Sequence, residues 1–177
     1  ANFEITKADQ NISFSSLSNV VYGDADFNLS ATSDSGLAVS YTSSNTSVAS
    51  VSGNTVRITG VGRTTITAEQ SGNGNYKEAI AVSQTLTVTP RGITVTANSG
   101  QSKVYGNTDP NLSYTITNGS LVNRDVLTGS LTRVIGEDAG LYAIEQGSLA
   151  NANYQITFVS ANFEITKADQ NISFSSL

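Results

Sequence analysis

Hydrophobic residues recur at every second position along most of the chain. Val56 and Ile58, for example, are flanked by the polar residues Thr55, Arg57 and Thr59. Because successive side chains of a strand point to opposite faces, this period predicts strands with one buried and one solvated face. Glycine- and asparagine-rich turns separate these segments. Many short strands at such spacing predict an all-β chain built from antiparallel β-sandwiches.

Two places in the second half of the chain have their own local pattern. Apolar residues fall at helical offsets between 120 and 127, namely Leu121, Val122, Val126 and Leu127. These offsets predict one or two helical turns, which the hydroxyl of Ser120 would cap. Residues 159–162 predict a hairpin turn that leads into a strand containing Phe163 and Ile165.

The first 17 residues of the chain recur without a change as residues 161–177. The repeat period is therefore 160 residues, and so long an identity is typical of a tandem array rather than of chance. The function of such arrays usually belongs to the array and not to one unit. We therefore expect the chain to be a segment of a longer series of repeats.

A fainter repeat divides the 160-residue unit into two modules of similar length. Residues 21–30 align with residues 104–113, which lie 83 positions later, and Pro90 marks the seam. We predict a first β-sandwich module over residues 7–89 and a second over 90–167. Each is short enough to be a small immunoglobulin-like domain.

The same register assigns the two ends of the chain to neighbouring repeats. Residues 1–6 would be the closing strand of a preceding module, and residues 168–177 the opening strand of a following one. Unpaired strands add readily to sheet edges, so we expect both ends to be disordered or engaged with other molecules. In the alternative, residues 1–6 cover the first module, with Phe3 packed against it.

Composition excludes several classes of function. The chain has no cysteine, histidine, methionine or tryptophan, so thiol chemistry and the commonest general base are missing, and we expect no enzyme. The formal net charge of −5 argues against a nucleic-acid partner. No segment approaches the length of about 20 apolar residues that a membrane span needs. We expect no cofactor.

Calcium is the one ion that the sequence leaves open. Asp24 and Asp26 follow the first Tyr-Gly pair, and Asp109 occupies the equivalent place in the second module. Carboxylate oxygens are calcium ligands, but calcium takes six to eight oxygens and the chain has no dense acidic loop. The alternative is a solvated turn in which aspartate caps local amides, and Glu137–Asp138 is likewise interpreted as a turn.

Two Tyr-Gly pairs are the clearest structural candidates, at Tyr22–Gly23 and Tyr105–Gly106. We interpret each tyrosine as a core or corner residue and each glycine as the residue that permits a tight turn. The alternative is an exposed ring that stacks on carbohydrate. Pro90 is the structural candidate at the seam. The four lysines are predicted at strand edges or linkers: Lys7, Lys77, Lys103 and Lys167.

Two motif sets carry a resemblance to known families. Residues 41–51 (YTSSNTSVASV) and 56–68 (VRITGVGRTTITA) resemble the bacterial immunoglobulin-like group 2 domain, over most of residues 10–89. Residues 91–167, with VYG at 104–106 and NYQITF at 153–158, resemble the MBG surface repeats. The resemblance implies a very long secreted or surface protein of bacteria, notably Bacteroidetes, including adhesins. Neither family implies a catalytic residue.

These observations predict a structural stalk or spacer repeat of a bacterial cell-surface adhesin, which projects a distal binding domain. The expected partners are neighbouring repeats of the same chain, in an extracellular location. In the alternative, the repeat is itself adhesive, and loops at 72–75 or 136–140 bind a host or surface glycan or protein.

Overall fold

The computed structural model describes residues 4–173 and is all-β, as the alternating pattern predicts. The chain divides into two compact units, Ala1–Arg91 and Gly92–Leu177. No helix of membrane-spanning length and apolarity occurs among the described residues. Each unit is a stack of curled sheets, and each is described by itself.

The first module has two main sheets and a two-stranded ribbon. The four-stranded sheet has the order β2-β9-β8-β5, the three-stranded sheet the order β3-β7-β6, and β1 pairs with β4. The strands are β1 Ile12–Ser13, β2 Val20–Val21, β3 Phe27–Asn28, β4 Thr32–Ser33, β5 Ser40–Ser43, β6 Ala49–Ser52, β7 Thr55–Ile58, β8 Gly62–Glu69 and β9 Val82–Thr89.

Alternating residues of these strands form the core of the first module. Ile66 and Ala68 on β8, and Leu86 and Val88 on β9, are all less than 2% exposed. The two strands pair antiparallel over seven residues, which makes them the longest ladder of the module. Burial on one face of this ladder explains the apolar period of two seen in the sequence.

The second module has one four-stranded and one three-stranded sheet. Their orders are β11-β16-β14-β13 and β12-β10-β15. The strands are β10 Arg91–Ala97, β11 Gln101–Val104, β12 Tyr114–Asn118, β13 Thr132–Arg133, β14 Gly140–Glu145, β15 Tyr154–Val159 and β16 Asn162–Thr166. Its core includes fully buried Phe163, Ile165 and Ile144.

Strand pairing repeats between the modules in the same register. Ile12 lies opposite Ser33 in the first module, and Val95 lies opposite Ile116 in the second, each 83 positions later. Both four-stranded sheets begin with a parallel pair, β2 with β9 and β11 with β16, and continue antiparallel. The faint sequence repeat therefore corresponds to a repeat of topology.

The two copies of the 17-residue segment take different structures. Phe163 and Ile165 are at most 1% exposed within β16, whereas Ile5, the counterpart of Ile165, is 87% exposed and lies in no strand. Conversely, Gln10 is buried while Gln170 is exposed. The prediction for Phe3, and the predictions for residues 174–177, concern positions outside the described residues.

The predicted helical turn at residues 120–127 is wrong. Asn123 and Arg124 have φ values of 55° and 64°, and the amide of Asp125 donates to the carbonyl of Val122 at 2.9 Å. Two consecutive positive φ angles define a tight turn of type I′ and exclude a right-handed helix. The predicted hairpin at 159–162 is also wrong, because β15 and β16 lie in different sheets.

Candidate functional site

The two Tyr-Gly corners follow the first strand of each parallel pair. The amide of Tyr22 donates to the carbonyl of Thr89 at 2.9 Å, and the amide of Tyr105 donates to that of Thr166 at 2.8 Å. Each bond extends the parallel ladder by one residue. The corner is therefore the point at which the chain leaves the parallel pair.

Glycine is required at both corners by backbone conformation. Gly23 and Gly106 have φ values of 83° and 87°, which L side chains rarely adopt. The turn then closes in the same way in each module, since Asp24 and Asn107 donate their amides to Val21 and Val104 at 3.0 Å. These contacts agree with the interpretation of the glycines as turn residues.

The two tyrosine side chains differ in their exposure to solvent. Tyr22 is 3% exposed, whereas Tyr105 is 53% exposed. Tyr22 is therefore a core residue, as interpreted from the sequence, whereas Tyr105 is not.

Pro90 is the single residue between β9 and β10. Its exposed ring occupies a position where no ladder hydrogen bond is needed.

The calcium candidates do not converge on one place. The carboxylate of Asp24 accepts the amide of Val21 at 2.8 Å, so it caps its own turn. Asp26 is exposed, and both carboxylate oxygens of Asp109 are bound by cationic side chains. Residues 4–173 contain no group of three or more acidic side chains that could hold a metal ion.

Asp109 belongs instead to a four-residue charge cluster. Lys103 pairs with Asp109 at 2.7 Å and also with Glu137, while Arg133 contacts Asp109 at 2.7 Å and Glu137 at 2.7 Å. The two cationic side chains are only 5% and 6% exposed, and the carboxylates are 40% and 67% exposed. We call these four residues the charge cluster.

The guanidinium of Arg133 contacts two aromatic rings, two carboxylates and a backbone carbonyl. Its guanidinium lies 5.1 Å from the ring centre of Tyr142 and 5.3 Å from that of Phe163. It also donates to the carbonyl of Gly136 at 2.6 Å. Aromatic faces, carboxylates and a carbonyl thus compensate the cation for its burial. Arg133 is a buried anchor and is not available to a ligand.

The pKa shifts in the cluster follow these contacts. The Arg133 guanidinium, helped by Lys103, lowers the pKa of Asp109 to about 2. The Lys103 ammonium, helped by Arg133, lowers the pKa of Glu137, and hydrogen bonds to Asp109 and Glu137 raise the pKa of Lys103. All four groups are therefore charged at neutral pH, and the local net charge is zero.

The charge cluster crosses the four-stranded sheet of the second module. Lys103 comes from β11, at one edge, and Arg133 from β13, at the other, while Phe163 and Tyr142 lie on the two strands between them. The carboxylates come from the loops after β11 and β13. Because each carboxylate contacts both cations, the cluster links the two edges of the sheet.

The first module fills the same positions differently. Strand register makes Val20 equivalent to Lys103, Ser43 to Arg133 and Thr64 to Tyr142. There, the hydroxyls of Ser43 and Thr64 share a hydrogen bond of 2.8 Å. A neutral contact thus replaces the cation–aromatic contact, so the charge cluster distinguishes the second module from the first.

A cleft of about 620 Å³ lies beside the charge cluster. Its lining includes Asp109, Tyr114, Ser130 and Glu137, together with Ile135, whose side chain is 97% exposed. The cleft presents hydroxyls and carboxylate edges beside the apolar residues Pro110, Leu112, Leu131 and Ile135. Such a lining can bind a small ligand that has both polar and apolar groups.

The sequence does not predict that these residues meet. Lys103 is expected at a strand edge and lies on the edge strand β11, but its side chain is buried. Glu137 is expected in a turn and lies in the loop after β13, and the sequence gives no expectation for Arg133. One feature of the sequence could have indicated this burial: a charged residue stands at a position where the alternation of a strand places an inward-facing side chain. Lys103 alternates with the exposed Ser102 and Val104, as a core residue would.

One family model matches a range within the second module. Residues 93–164 match the MBG domain of YGX type. The matched range contains the Tyr105–Gly106 corner and all four members of the charge cluster. The second module is therefore similar to the MBG domain family, as its motifs predict. The immunoglobulin-like group 2 assignment of residues 10–89 stays a prediction.

No curated protein matches the chain.

Proposed function

We propose that this chain is a load-bearing spacer repeat of a bacterial cell-surface adhesin, which holds a distal binding domain away from the surface. The exact 160-residue repeat and the similarity of residues 93–164 to a surface-repeat family support the assignment to an array. The parallel strand pair in each module supports the load-bearing role, and that pair carries the proposal.

Each parallel pair joins a strand near the start of its module to the last strand. In the first module, Val20 and Val21 pair with Val88 and Thr89. In the second module the ladder is twice as long, since residues 101–104 pair with residues 163–166. The two paired strands run in the same direction. The chain reaches the first of them, β2 or β11, after one short opening strand (β1 or β10), and it leaves the module through the second, β9 or β16.

Force on the chain therefore loads these ladders in shear. Tension that reaches β2 or β11 pulls this strand backwards along its own direction, while the last strand of the module is pulled forwards, so the two strands of the pair slide in opposite senses. All the slanted bonds of a parallel ladder then bear load together, whereas an antiparallel hairpin pulled from its open end gives way one bond at a time. A module built this way suits a chain under tension.

Side chains reinforce the same pair in both modules. The hydroxyl of Thr89 donates to the carbonyl of Val20 at 3.2 Å, and the hydroxyl of Thr166 donates to that of Lys103 at 3.3 Å. In the second module, Lys103 is also bound to Asp109 and Glu137. The charge cluster thus fastens β11 to the far edge of its sheet, which gives the cluster a structural role.

The cleft beside the charge cluster favours a second candidate, direct adhesion. Its volume and the exposed Ile135 suit a sugar ring. The two loops expected to be adhesive are tied to the module, because Arg133 binds the carbonyl of Gly136 and the side chain of Asn73 accepts two local amides. Such loops present a fixed rather than an adaptable surface.

Binding measurements separate the two functions. A spacer predicts no saturable binding of the 177-residue chain to immobilised glycans or host matrix proteins. Saturable binding that Ile135→Ser abolishes, and that the matched substitution Ile80→Ser in the first module leaves intact, would support the adhesive function instead. Both isoleucines are at least 87% exposed, so neither change disturbs the core.

A further inference from the structure

We propose that a groove in the first module binds the primary carboxamide of a glutamine side chain that a partner protein presents. The groove has a volume of about 400 Å³ and lies between residues 14–20 and residues 24–30. The load-bearing role neither requires nor excludes this site. The proposal rests on a comparison of equivalent positions in the two modules.

The second module fills the equivalent place with a carboxamide of its own. The side-chain oxygen of Gln101 accepts the amide of Ser113 at 2.6 Å, and its nitrogen donates to the carbonyl of Ser113 at 3.1 Å. The same nitrogen donates to the carbonyl of Asn98 at 2.8 Å. One carboxamide thus satisfies both the N–H and the C=O of a single residue.

The first module has the same backbone positions but no carboxamide. Ser15, Ser18 and Ser30 lie 83 positions before Asn98, Gln101 and Ser113, in the register that strand pairing sets. All three serines are exposed and line the groove, which we call the serine groove. Within residues 4–173, the amide and carbonyl of Ser30 have no hydrogen-bond partner.

Two aromatic side chains accompany the opening of the serine groove. Phe14 stands where the second module has Ala97, and its ring packs edge-on against Tyr41 at 5.8 Å. The hydroxyl of Tyr41 bonds both the amide and the carbonyl of Ala31, at 2.8 and 3.3 Å. In the second module the equivalent residue, Tyr114, pairs with Ala97. The ladder therefore ends earlier in the first module, which leaves the groove open.

The walls of the serine groove suit the stem of a glutamine side chain. They contain five buried or half-buried apolar residues: Phe14, Leu17, Val20, Phe27 and Leu29. Methylene groups pack on such a surface while the polar end of the side chain reaches its hydrogen-bonding groups. Asp24 also lines the groove, and its charge disfavours an acidic ligand.

Geometry selects a primary carboxamide over other ligands. The N–H and C=O of a trans peptide bond point in opposite directions, so neither a peptide bond nor an N-acetyl group bonds both groups of Ser30. A carboxylate has no donor for the carbonyl of Ser30. A primary carboxamide provides both bonds, as Gln101 does in the second module.

NMR titration of the isotope-labelled 177-residue chain tests the proposal. The probe is N-acetylglutamine N-methylamide, whose only primary carboxamide is the side chain. We expect a saturable shift of the Ser30 amide signal, with an affinity on the order of millimolar for so small a ligand. The glutamate analogue should bind at least about 10-fold more weakly, since it lacks the donor for a backbone carbonyl. N-acetylglucosamine should cause no saturable shift.

Two outcomes of this titration would overturn the proposal. One is the absence of a saturable shift of Ser30 with the glutamine probe. The other is equal binding of the glutamine and glutamate probes. Neither outcome bears on the load-bearing role, which is measured by force.

Two matched substitutions exchange the chemistry of the modules. Ser18→Gln supplies the carboxamide from within the first module, so it should abolish the shift of Ser30 and raise the melting temperature of that module. Gln101→Ser should open the equivalent place in the second module and add a saturable shift of Ser113. Unchanged binding of the glutamine probe at Ser30 in Ser18→Gln would contradict the proposed site.

Discussion

At the scale of single residues, the Tyr-Gly corner has the same backbone conformation in both modules, but the side chains around it differ. Both need glycine after tyrosine, but Asp26 is exposed where Asp109, its counterpart, joins two buried cations. Equivalent positions in a repeat therefore differ in chemistry. The consequences can be measured one substitution at a time.

The charge cluster should make the second module sensitive to acid. Since the pKa of Asp109 is lowered to about 2, its contribution to stability is present above its unfolded pKa of about 3.9 and is lost as pH falls towards 2. Glu137, whose pKa is also lowered, acts in the same direction. Calorimetry between pH 5 and 2 should show the transition of the second module falling.

Two matched variants isolate this effect. Asp109→Asn should lower the stability of the second module at neutral pH and flatten its dependence on pH. Asp26→Asn, at the equivalent position of the first module, should leave the calorimetric profile unchanged. An unaltered acid profile in Asp109→Asn would show that the cluster does not control acid stability.

Replacing Gly106 by alanine, which adds a single methyl group, should destabilise the second module. Nothing lies within 4 Å of an added Cβ, so Gly106→Ala would act only through the φ of 87°. Left-handed backbone costs an L residue about 1–2 kcal/mol, which in a module of this size corresponds to a fall in Tm of several degrees. Gly92→Ala, also in open space but without positive φ, should stay within about 0.5 kcal/mol of wild type.

At the scale of elements, the alternating pattern predicted the strands because burial on one face dictates it. It predicted neither the turn at Asn123–Arg124 nor the change of sheet after β15. Positive φ at Asn123 is compatible with asparagine, but the apolar spacing of residues 121–127 gives the same period as a helix. A hairpin and a crossover between sheets have similar turn residues, so only the pairing partners distinguish them.

The candidate site was predictable only in part for the same reason. The Tyr-Gly corners were visible because glycine marks a backbone requirement. The charge cluster was not, because its members lie up to 34 residues apart and meet only when β11 and β13 join one sheet. Their charges are typical of exposed positions in a sequence, and their burial depends on tertiary pairing.

One pair of substitutions tests the placement of the repeated segment. Ile165 is 1% exposed in β16, whereas Ile5, within the same local sequence, is 87% exposed. Ile165→Ala should therefore cost about 2–5 kcal/mol through lost packing, while Ile5→Ala should cost less than about 0.5 kcal/mol. Denaturant unfolding measures both. Similar losses would contradict the difference in burial between these two isoleucines.

At the scale of the whole molecule, the same topology occurs twice within a repeat that itself recurs. The four-stranded sheet of each module contains a parallel pair that includes the module's last strand, and the second pair has four ladder residues where the first has two. We therefore expect two mechanical strengths in every 160-residue unit. The weaker event should come from the first module, since its ladder is shorter and lacks the charge cluster.

Single-molecule pulling in two directions tests the load-bearing proposal most directly. The chain has no cysteine, so engineered cysteines can serve as unique attachment points. Attachment at Asn19 and Arg91, which lie just outside β2 and β9, loads the parallel pair of the first module in shear. Attachment at Arg63 and Thr87, which lie opposite each other near the open end of the β8–β9 ladder, unzips an antiparallel ladder in the same module. The proposal predicts a clearly higher unfolding force for the first direction, and equal or lower force there would contradict it.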